Sequence, residues 1–429
     1  MLLPAVVLVE DLLLGATAVL LAAPLAVLGV ECLAALLPQR RSAIAESDER
    51  PAVAVLVPAH NEELALAETL RSIQPQLRDG DRLIVIADNC TDATAAVARS
   101  LGAGVIERQD ANKRGKGFAM DFGLSHVAQD PPPVVIFTDA DCLLAPRAID
   151  ELARQVKVTG RPAQALYLMD PPPGGSLRDA VSACAFLLKN QVRPAGLARL
   201  GLHCPLFGTG MAFPYPVLRQ VPLADGNIVE DLQLGLNLIR AGAAPAFCPT
   251  ARVTGRLPVE NAAAMTQRRR WEHGHVRTIF TQVPRMLAEA LRRRNVIALA
   301  TAMDLCVPPL SLLAFGVMLG LIVLGGTAAL GAWTAPFVLL ASVVGITLVT
   351  LLGVYLKFGR TMLRPGALLG IPSYVLWKAP MYVAMLVRPQ RQWVQTPRTG
   401  AAPSMSSAAT ANASVDPLEA IGVTAGRSD

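Results

Sequence analysis

The most constraining feature of the sequence is a long run without charged side chains, from Leu305 to Leu356. An α-helix rises about 1.5 Å per residue and needs about 20 apolar residues to cross a bilayer, so this run has the length of two crossings. A turn between them is predicted near Gly325-Gly326 or Thr334–Pro336. Basic residues flank the run on both sides, which places both of its ends in the cytosol. The sequence therefore predicts a transmembrane hairpin over residues 296–357.

A second apolar segment, Leu12–Val30, lies near the N-terminus and is long enough for one crossing. It does not resemble a cleavable signal peptide, because Glu10 and Asp11 precede it and no small-residue cleavage site follows. We therefore predict a retained transmembrane anchor over residues 1–38. The basic residues that follow it predict that the chain continues in the cytosol, through a linker over residues 39–52.

Between the apolar segments, short β-branched runs alternate with helical patterns, as is typical of an α/β domain. This domain is predicted over residues 53–290. Its predicted strands are Val53–Val57, Leu83–Ala87, Val105–Glu107, Val134–Phe137 and Ala165–Met169.

Two carboxylates, Asp139 and Asp141, come after the apolar run Val134–Phe137, from which only Thr138 separates Asp139. Ligands of open α/β sheets bind at the carboxyl ends of the strands. Paired carboxylates suit Mg²⁺ or Mn²⁺, which protein sites often hold together with substrate phosphates. The alternative is a turn rich in aspartate, since Asp is a common turn residue. The pattern predicts a divalent-cation site.

Other polar residues follow neighbouring predicted strands. Asn61 and Glu62 come after the first strand, where the alternative role is to cap the next helix. Asp88 ends the second strand and has the chemistry to accept from a base N–H or a ribose hydroxyl. Lys116 lies in a basic turn before a helix, a place that attracts phosphate, although a solvated basic turn is the alternative.

Two later motifs carry further candidates. Glu230 and Asp231 begin an amphipathic helix, where stabilisation of the helix dipole is the alternative role. Gln267, Arg270 and Trp271 fall on one helical face, which offers Arg to a phosphate and Trp to a sugar. The alternative for this face is a basic surface near anionic lipid.

The C-terminal part and the cysteines carry weaker signals. Residues 366–388 are apolar but contain Lys378 and are flanked by arginines, so we predict an interfacial or re-entrant segment. Residues 398–429 lack periodicity and are predicted to be disordered. The seven cysteines are scattered and odd in number, which argues against a zinc site or a disulfide framework.

Together, these motifs resemble those of membrane-associated family 2 glycosyltransferases, in particular bacterial exopolysaccharide enzymes of the methanolan type. The resemblance covers roughly residues 53–275 and rests on six motifs that occur in the same order along the chain. It implies a nucleotide-sugar-binding α/β domain of the glycosyltransferase A type, a doubly wound mixed sheet with transmembrane helices N- and C-terminal to it. One departure is Val229, where many synthases have Thr.

The resemblance also implies a role for each motif. Glu62 and Asp88 would contact the nucleotide, Lys116 the nucleotide or the diphosphate, and Asp139 and Asp141 the nucleotide sugar and its Mg²⁺ or Mn²⁺ ion. Asp231 would be the catalytic base. The diphosphate and the acceptor would be bound by Gln267, Arg270 and Trp271.

The expected activity is inverting transfer of one sugar from a nucleotide sugar, by resemblance a UDP-sugar, to a membrane-bound or lipid-linked acceptor in exopolysaccharide synthesis. The expected location is the inner membrane of a bacterium, with a cytosolic catalytic domain, other exopolysaccharide assembly proteins as partners and no nucleic-acid partner. The alternatives are a processive polysaccharide synthase and a non-catalytic scaffold subunit.

Overall fold

The computed structural model describes residues 2–38, 49–172, 174–224, 229–257 and 261–387, and the chain forms two compact units. The sheet unit comprises Pro38–Gly175 and Phe186–Gln267. The helical unit comprises Met1–Leu37, Ser176–Ala185 and Arg268–Arg391. The predicted domain 53–290 therefore contributes residues to both units. The predicted disordered tail, 398–429, lies outside the described residues.

The sheet unit is built on one mixed sheet of eight strands in the order β3-β2-β1-β4-β7-β6-β8-β5. The strands are β1 (Val53–Ala59), β2 (Arg82–Asp88), β3 (Gly104–Arg108), β4 (Val134–Phe137), β5 (Leu143–Leu144), β6 (Ala163–Asp170), β7 (Met211–Pro214) and β8 (Ala246–Arg256). β1 to β4 are mutually parallel, whereas β7 runs antiparallel to both β4 and β6. The predicted α/β class and mixed sheet are confirmed.

Helices connect and cover these strands. They are α2 (Leu66–Ile73), α3 (Thr94–Ser100), α4 (Lys116–Val127), α5 (Ala148–Thr159), α7 (Arg193–Arg199), α8 (Tyr215–Leu218) and α9 (Glu230–Arg240), and α6 (Leu177–Leu187) and α10 (Asn261–Arg293) contribute residues to both units. The sequence predicts one helical stretch over residues 177–200, and in the structure a π-helical turn, Leu188–Val192, interrupts it.

The core of the sheet unit explains why β7 pairs with β4. Phe137 of β4 and Phe213 of β7 are fully buried, and their rings meet edge to face with centroids 6.0 Å apart. Side chains of α4 and α9 pack on the same sheet face, among them Met120 and Leu238. Burying a large apolar side chain contributes roughly 1.5–3 kcal/mol, so this face holds the loops at the strand ends in place. The small residues of Phe207–Phe213 predict a turn over that whole stretch, but in the structure β7 begins at Met211, so the turn is shorter than predicted.

The helical unit contains the predicted apolar segments as helices. They are α1 (Leu2–Leu36), α11 (Val296–Leu305), α12 (Leu310–Ala329), α13 (Ala335–Val354) and α14 (Ile371–Val387). Within the described residues, three segments have the length and composition to cross a membrane: Val7–Leu36, Leu310–Ala329 and Ala335–Gly359. Of the two predicted hairpin turns, the one near Gly325-Gly326 is wrong, since α12 continues to Ala329.

Small residues allow α1 to pack closely against α12 and α13. Ala18 and Ala22 of α1 are buried together with Leu324 and Leu340. The ammonium group of Lys357 donates to the carbonyl oxygens of Ala35 and Leu36, at 3.0 and 3.2 Å. These carbonyls belong to the last turn of α1, where helix carbonyls lack intrahelical partners and a cation is favoured.

Lys378 of α14 bears on the predicted interfacial placement of residues 366–388. It is 4% exposed and donates a hydrogen bond to the Glu272 carboxylate. Its charge is therefore neutralised within the protein. The cost of placing Lys378 in a bilayer is then smaller than expected, and it is a weaker reason against a full crossing. The arginines on both sides of residues 366–388 still favour an interfacial segment, and this placement stays a prediction.

Cysteine labelling in intact cells tests this placement. If residues 366–388 do not cross the membrane, Gln395→Cys, which lies outside the described residues, should react with a membrane-impermeant thiol reagent only after lysis. Thr334→Cys, in the loop before α13, should react in intact cells, because the predicted hairpin places that loop outside. The parent protein controls for its native cysteines. Labelling of Gln395→Cys in intact cells would contradict the interfacial placement.

Candidate functional site

The carboxyl ends of β1, β2 and β4 form one edge of the sheet, with β1 in the middle. The chain leaves β1 toward β2 on one side and returns to β4 on the other. Such a switch point opens a crevice at the strand ends, where ligands of α/β sheets bind. Asp88 ends β2 and Asp139 follows β4, so both predicted residues lie at this edge.

A lysine ties the loop after β4 to two other segments. Lys116, the first residue of α4, donates from Nζ to Asp139 Oδ1 and, at 2.6 Å, to the carbonyl oxygen of Gly208. Its Nζ also lies 3.9 Å from Glu230 Oε1, at the start of α9. Lys116 was predicted from its basic turn, but these acidic partners come from the fold.

The surroundings of Gly208 show that the Asp231 carboxylate also lies close to Lys116 Nζ. The Gly208 φ of +86° lies in the left-handed region, which suits glycine. A Cβ atom at this position would lie 3.3 Å from Asp231 Oδ2 and 3.4 Å from Lys116 Nζ. The fold therefore brings Lys116, Asp139 and Asp231 together around a glycine that leaves room for them.

Acidic groups outnumber cations here, and the pKa values reflect it. Burial acts to lower the pKa of Lys116, but the charges of Asp139 and Glu230 outweigh it and raise that pKa above its ordinary value. Burial, with the charge of Asp141, raises the pKa of Asp139 although Lys116 opposes the shift. Burial, followed by the charge of Asp231, raises the pKa of Glu230 to about 7. Excess negative charge of this kind attracts a cation.

Three potential ligand atoms lie within 4.8 Å of one another, on Asp139, Asp141 and Cys142. The two carboxylates provide the oxygen ligands that Mg²⁺ and Mn²⁺ prefer. Cys142 is buried, and burial with the nearby Asp141 and Asp139 charges raises the pKa of its thiol well above the usual range. A protonated thiol is a poor ligand for a hard cation. The donor set fits a divalent cation held by Asp139 and Asp141.

Asp88 and Glu62 lie in the loops beside this cluster. The Asp88 side chain is almost fully buried and accepts a hydrogen bond from Arg108 Nη1 at 2.5 Å. Glu62 is half-buried, and its backbone N–H donates to Thr94 Oγ1 at 2.8 Å. Their nucleotide contacts stay predictions.

The capping role considered for Asn61 is wrong. Helix α2 begins at Leu66 without a side-chain cap. Asn61 has a φ of 55° and its Oδ1 accepts from the backbone N–H of Thr91 at 2.8 Å. A contact between loops that are distant in sequence replaces the local one. At the start of the next helix, α3, Asp92 Oδ1 accepts from the backbone N–H of Thr94 at 3.0 Å.

The motif Gln267, Arg270 and Trp271 lies on α10, where the two units divide. Gln267 is the last α10 residue of the sheet unit, whereas Arg270 and Trp271 belong to the helical unit. Their binding roles stay predictions.

No prediction was made from the sequence for Gln164, which holds the loop Phe207–Gly208–Thr209 in place. We call this loop the glycine loop. Gln164 is fully buried in β6, its Nε2 donates to Thr209 O at 2.9 Å, and its Oε1 accepts from Phe207 N at 2.9 Å. Thr209 Oγ1 in turn accepts from the backbone N–H of Asp139 at 3.0 Å. The available signal was an amide in an otherwise apolar strand, since buried polar groups require partners.

Replacing Gln164 by leucine tests this support. Gln164→Leu leaves Phe207 N–H and Thr209 C=O without their partner, and each unpaired buried group costs about 1–3 kcal/mol of unfolding free energy. We also expect weaker Mn²⁺ binding, because the loop contacts Asp139 and Lys116. Denaturant unfolding and Mn²⁺ titration measure the two effects.

Gln155→Leu is the matched control. Gln155 is buried and donates to Phe247 O at 3.0 Å, away from the glycine loop. The Gln155→Leu variant should have a lower unfolding free energy than the parent and the same Mn²⁺ affinity. Equal Mn²⁺ affinities in both variants would contradict a positioning role for Gln164.

Comparisons with known proteins agree with this geometry. The family model described as "Glycosyltransferase like family 2" matches residues 51–274. A curated relative, 4,4'-diaponeurosporenoate glycosyltransferase of Staphylococcus aureus (strain MRSA252), is 35% identical over 113 residues, which are 25% of this chain and 29% of the relative. This chain thus matches less than a third of that protein's length.

A solved structure shows the same fold. It is a mannosyltransferase from Pyrobaculum calidifontis in complex with GDP-Man and Mn²⁺, with a TM-score of 0.51 and 18% sequence identity. The match covers 79% of this chain and 99% of the other. It supports the glycosyltransferase A type of sheet predicted from the motifs.

Proposed function

The chain belongs to glycosyltransferase family 2, and from this premise we propose that it transfers a sugar, with inversion, from a nucleotide-diphosphate sugar to a membrane-bound or lipid-linked acceptor. The observation that carries the proposal is the convergence of Asp139, Lys116 and Asp231 around Gly208, with Asp141 beside Asp139. A donor site and a general base would then share one edge of the sheet.

On the donor side, Asp139 and Asp141 would hold Mg²⁺ or Mn²⁺. When bound, such an ion neutralises the negative charge of the departing diphosphate. Lys116 places a positively charged side chain beside Asp139. Glu62 and Asp88 would contact the nucleotide. A UDP-sugar is the proposed donor by family resemblance.

On the acceptor side, Asp231 would accept the proton of the acceptor hydroxyl. The hydroxyl oxygen bonds to the anomeric carbon, the bond from that carbon to the diphosphate oxygen breaks, and the proton moves to the Asp231 carboxylate. Lys116 keeps positive charge between the donor and acceptor carboxylates. A positioned base typically contributes about 10²–10⁴-fold in rate.

The acceptor and the setting rest on the apolar helices and the motifs. Three candidate spans in the described residues favour a membrane-resident acceptor, and we place the sheet unit in the cytosol at the inner membrane of a bacterium. Gln267, Arg270 and Trp271 would bind the diphosphate and the acceptor. The role in exopolysaccharide synthesis with other assembly proteins follows the motif resemblance, and single transfer fits the few spans better than processive synthesis.

The relative in Staphylococcus aureus suggests a second acceptor. Its name gives 4,4'-diaponeurosporenoate, and its identity to this chain extends over 113 residues. Acceptor assays should include that molecule beside lipid-linked sugars.

A panel of nucleotide sugars tests the proposal on the purified full chain. We expect one UDP-sugar to raise the melting temperature only when Mn²⁺ is present, since a ligand that binds only the native state stabilises it. With an acceptor extract, the product should carry one added sugar. A polymeric product would favour the processive synthase, and absence of both binding and turnover would favour a scaffold subunit.

A further inference from the structure

A small cavity lies within the helical unit, between the start of α6 and the start of α14. Its volume is about 180 Å³. Pockets that enclose drug-sized ligands measure about 300–1,000 Å³, so this cavity has room for a small group and not for a nucleotide sugar. The lining residues include Ser176, Leu177, Arg178, Gly370, Ser373 and Tyr374.

A chain of hydrogen bonds joins Arg268 to Tyr374, a residue that lines this cavity. Arg268 Nη2 donates to Ser182 Oγ at 2.8 Å, and Ser182 Oγ lies 2.9 Å from Tyr374 Oη. A guanidinium has donors only, so the Ser182 oxygen accepts and its own hydrogen is available to Tyr374. The Ser182 oxygen can also accept a second hydrogen bond, so either hydroxyl can be the donor in the contact with Tyr374. When Ser182 donates, Tyr374, which lines the cavity, has a hydroxyl hydrogen to offer an anion.

The charged groups around the cavity leave positive charge in excess. The Trp377 ring has Arg178 at 4.8 Å and Arg268 at 5.9 Å from its centroid. Among the described residues, neither arginine forms an ion pair with a carboxylate, whereas Lys378 is paired with Glu272. The acid at this place is Asp179, which accepts from Ser176.

The N-terminus of α6 adds to this charge. Leu177 and Arg178 are its first residues, and the N–H groups of a helix start favour an anion. Two arginines against one acid therefore suit a phosphate, which a guanidinium binds through two donors.

Apolar side chains beside the cavity are exposed: Leu177 lines it, and Leu369 and Ile371 flank the lining residue Gly370. Leu369 and Leu177 are 86% and 47% exposed, and Ile371 is 37% exposed. A free anion gains nothing from this apolar surface, whereas a lipid presents a phosphate and an acyl or prenyl chain together. We propose that the cavity binds the phosphate group of a membrane lipid. Both an anionic phospholipid and a prenyl-phosphate carrier lipid offer this chemistry.

Lipid binding by the full chain, purified in detergent, tests the proposal. Native mass spectrometry would compare dioleoylphosphatidic acid, undecaprenyl phosphate and, as a lipid without phosphate, dioleoylglycerol. We expect Arg178→Gln to weaken binding of a phosphate lipid roughly tenfold or more, and Tyr374→Phe, which removes only the hydroxyl, about three- to tenfold. The carrier-lipid outcome rests on the proposed lipid-linked acceptor, and because binding is measured without a donor, its failure is distinguishable from a failure of sugar transfer.

Matched variants separate the cavity from general effects. Arg219→Gln removes an exposed arginine of the sheet unit, and Tyr355→Phe removes a hydroxyl that donates to Leu363 O. Both should bind as the parent does. Preference for phosphatidic acid assigns a phospholipid, and preference for undecaprenyl phosphate assigns a carrier lipid. Unchanged binding in Arg178→Gln and Tyr374→Phe, equal binding of dioleoylglycerol, or complete displacement by millimolar inorganic phosphate would overturn the proposal.

Discussion

Replacing Asp231 by asparagine is expected to lower turnover by about 10²–10⁴-fold, because the amide keeps the shape of the carboxylate but cannot take a proton. Donor affinity should change little, since Asp139 and Asp141 carry the proposed cation. Steady-state turnover and nucleotide-sugar binding on one purified variant measure both quantities. The melting temperature should stay close to that of the parent, because Asp231 Oδ1 makes a local bond to the N–H of the next residue, Leu232.

The competing explanation for Asp231 is a simple acid at a helix start. That role predicts normal turnover with a loss of at most about 1 kcal/mol in unfolding free energy. Glu151, in the first turn of α5, provides the matched comparison. Glu151→Gln should show that structural pattern. If Asp231→Asn behaves like Glu151→Gln, Asp231 is not the base.

The second large effect is expected for Asp141→Ala, which should lose Mn²⁺-dependent donor binding. Without a cation, the diphosphate would face the carboxylate of Asp139 and the neighbouring Glu230 and Asp231. Loss of residues that only support metal ligands already costs about 10–100-fold in affinity, so loss of a ligand should weaken Mn²⁺ binding by at least about 100-fold. Calorimetric titration with Mn²⁺, with and without the nucleotide, measures it.

Asp130→Ala controls for removal of a negative charge, since Asp130 is exposed and lies in a long ion pair of 3.4 Å with Arg82. Its Mn²⁺ affinity should equal that of the parent. Unchanged Mn²⁺-dependent donor affinity in Asp141→Ala would remove Asp141 from the site. The two variants should lose different properties. Asp141→Ala should lose donor binding, whereas Asp231→Asn should bind the donor and lose only turnover.

Local patterns predicted the strands best where the strand is buried on both faces. Val134–Phe137 has the same bounds in sequence and structure, because four consecutive apolar residues have one plausible arrangement in an α/β sheet. β5, β7 and β8 were missed. β5 has only two residues, and β8 mixes buried and exposed positions along Ala246–Arg256, so neither shows a clear period.

For the candidate site, the sequence predicted individual residues but not how they come together. Asp139, Asp141 and Lys116 were predicted from an acidic strand end or a basic turn, which are local features, whereas Asp231 was predicted as the base from the motif resemblance. Their convergence could not be predicted from spacing. Lys116 meets the Gly208 carbonyl, which is distant in sequence, and Gln164 joins β6 to the glycine loop. Such contacts depend on strand order, which local patterns do not contain.

By itself, the sequence determined the apolar helices, the α/β class and the chemical types of the candidate residues, because hydrophobic period, charge and turn chemistry act over a few neighbours. Only the tertiary structure decided that Asn61 joins two loops and that Lys378 is neutralised by Glu272. It also decided that Lys116 stands among carboxylates. The physical reason is that burial removes water from these groups, and a buried polar group must then find its partner wherever the fold places one.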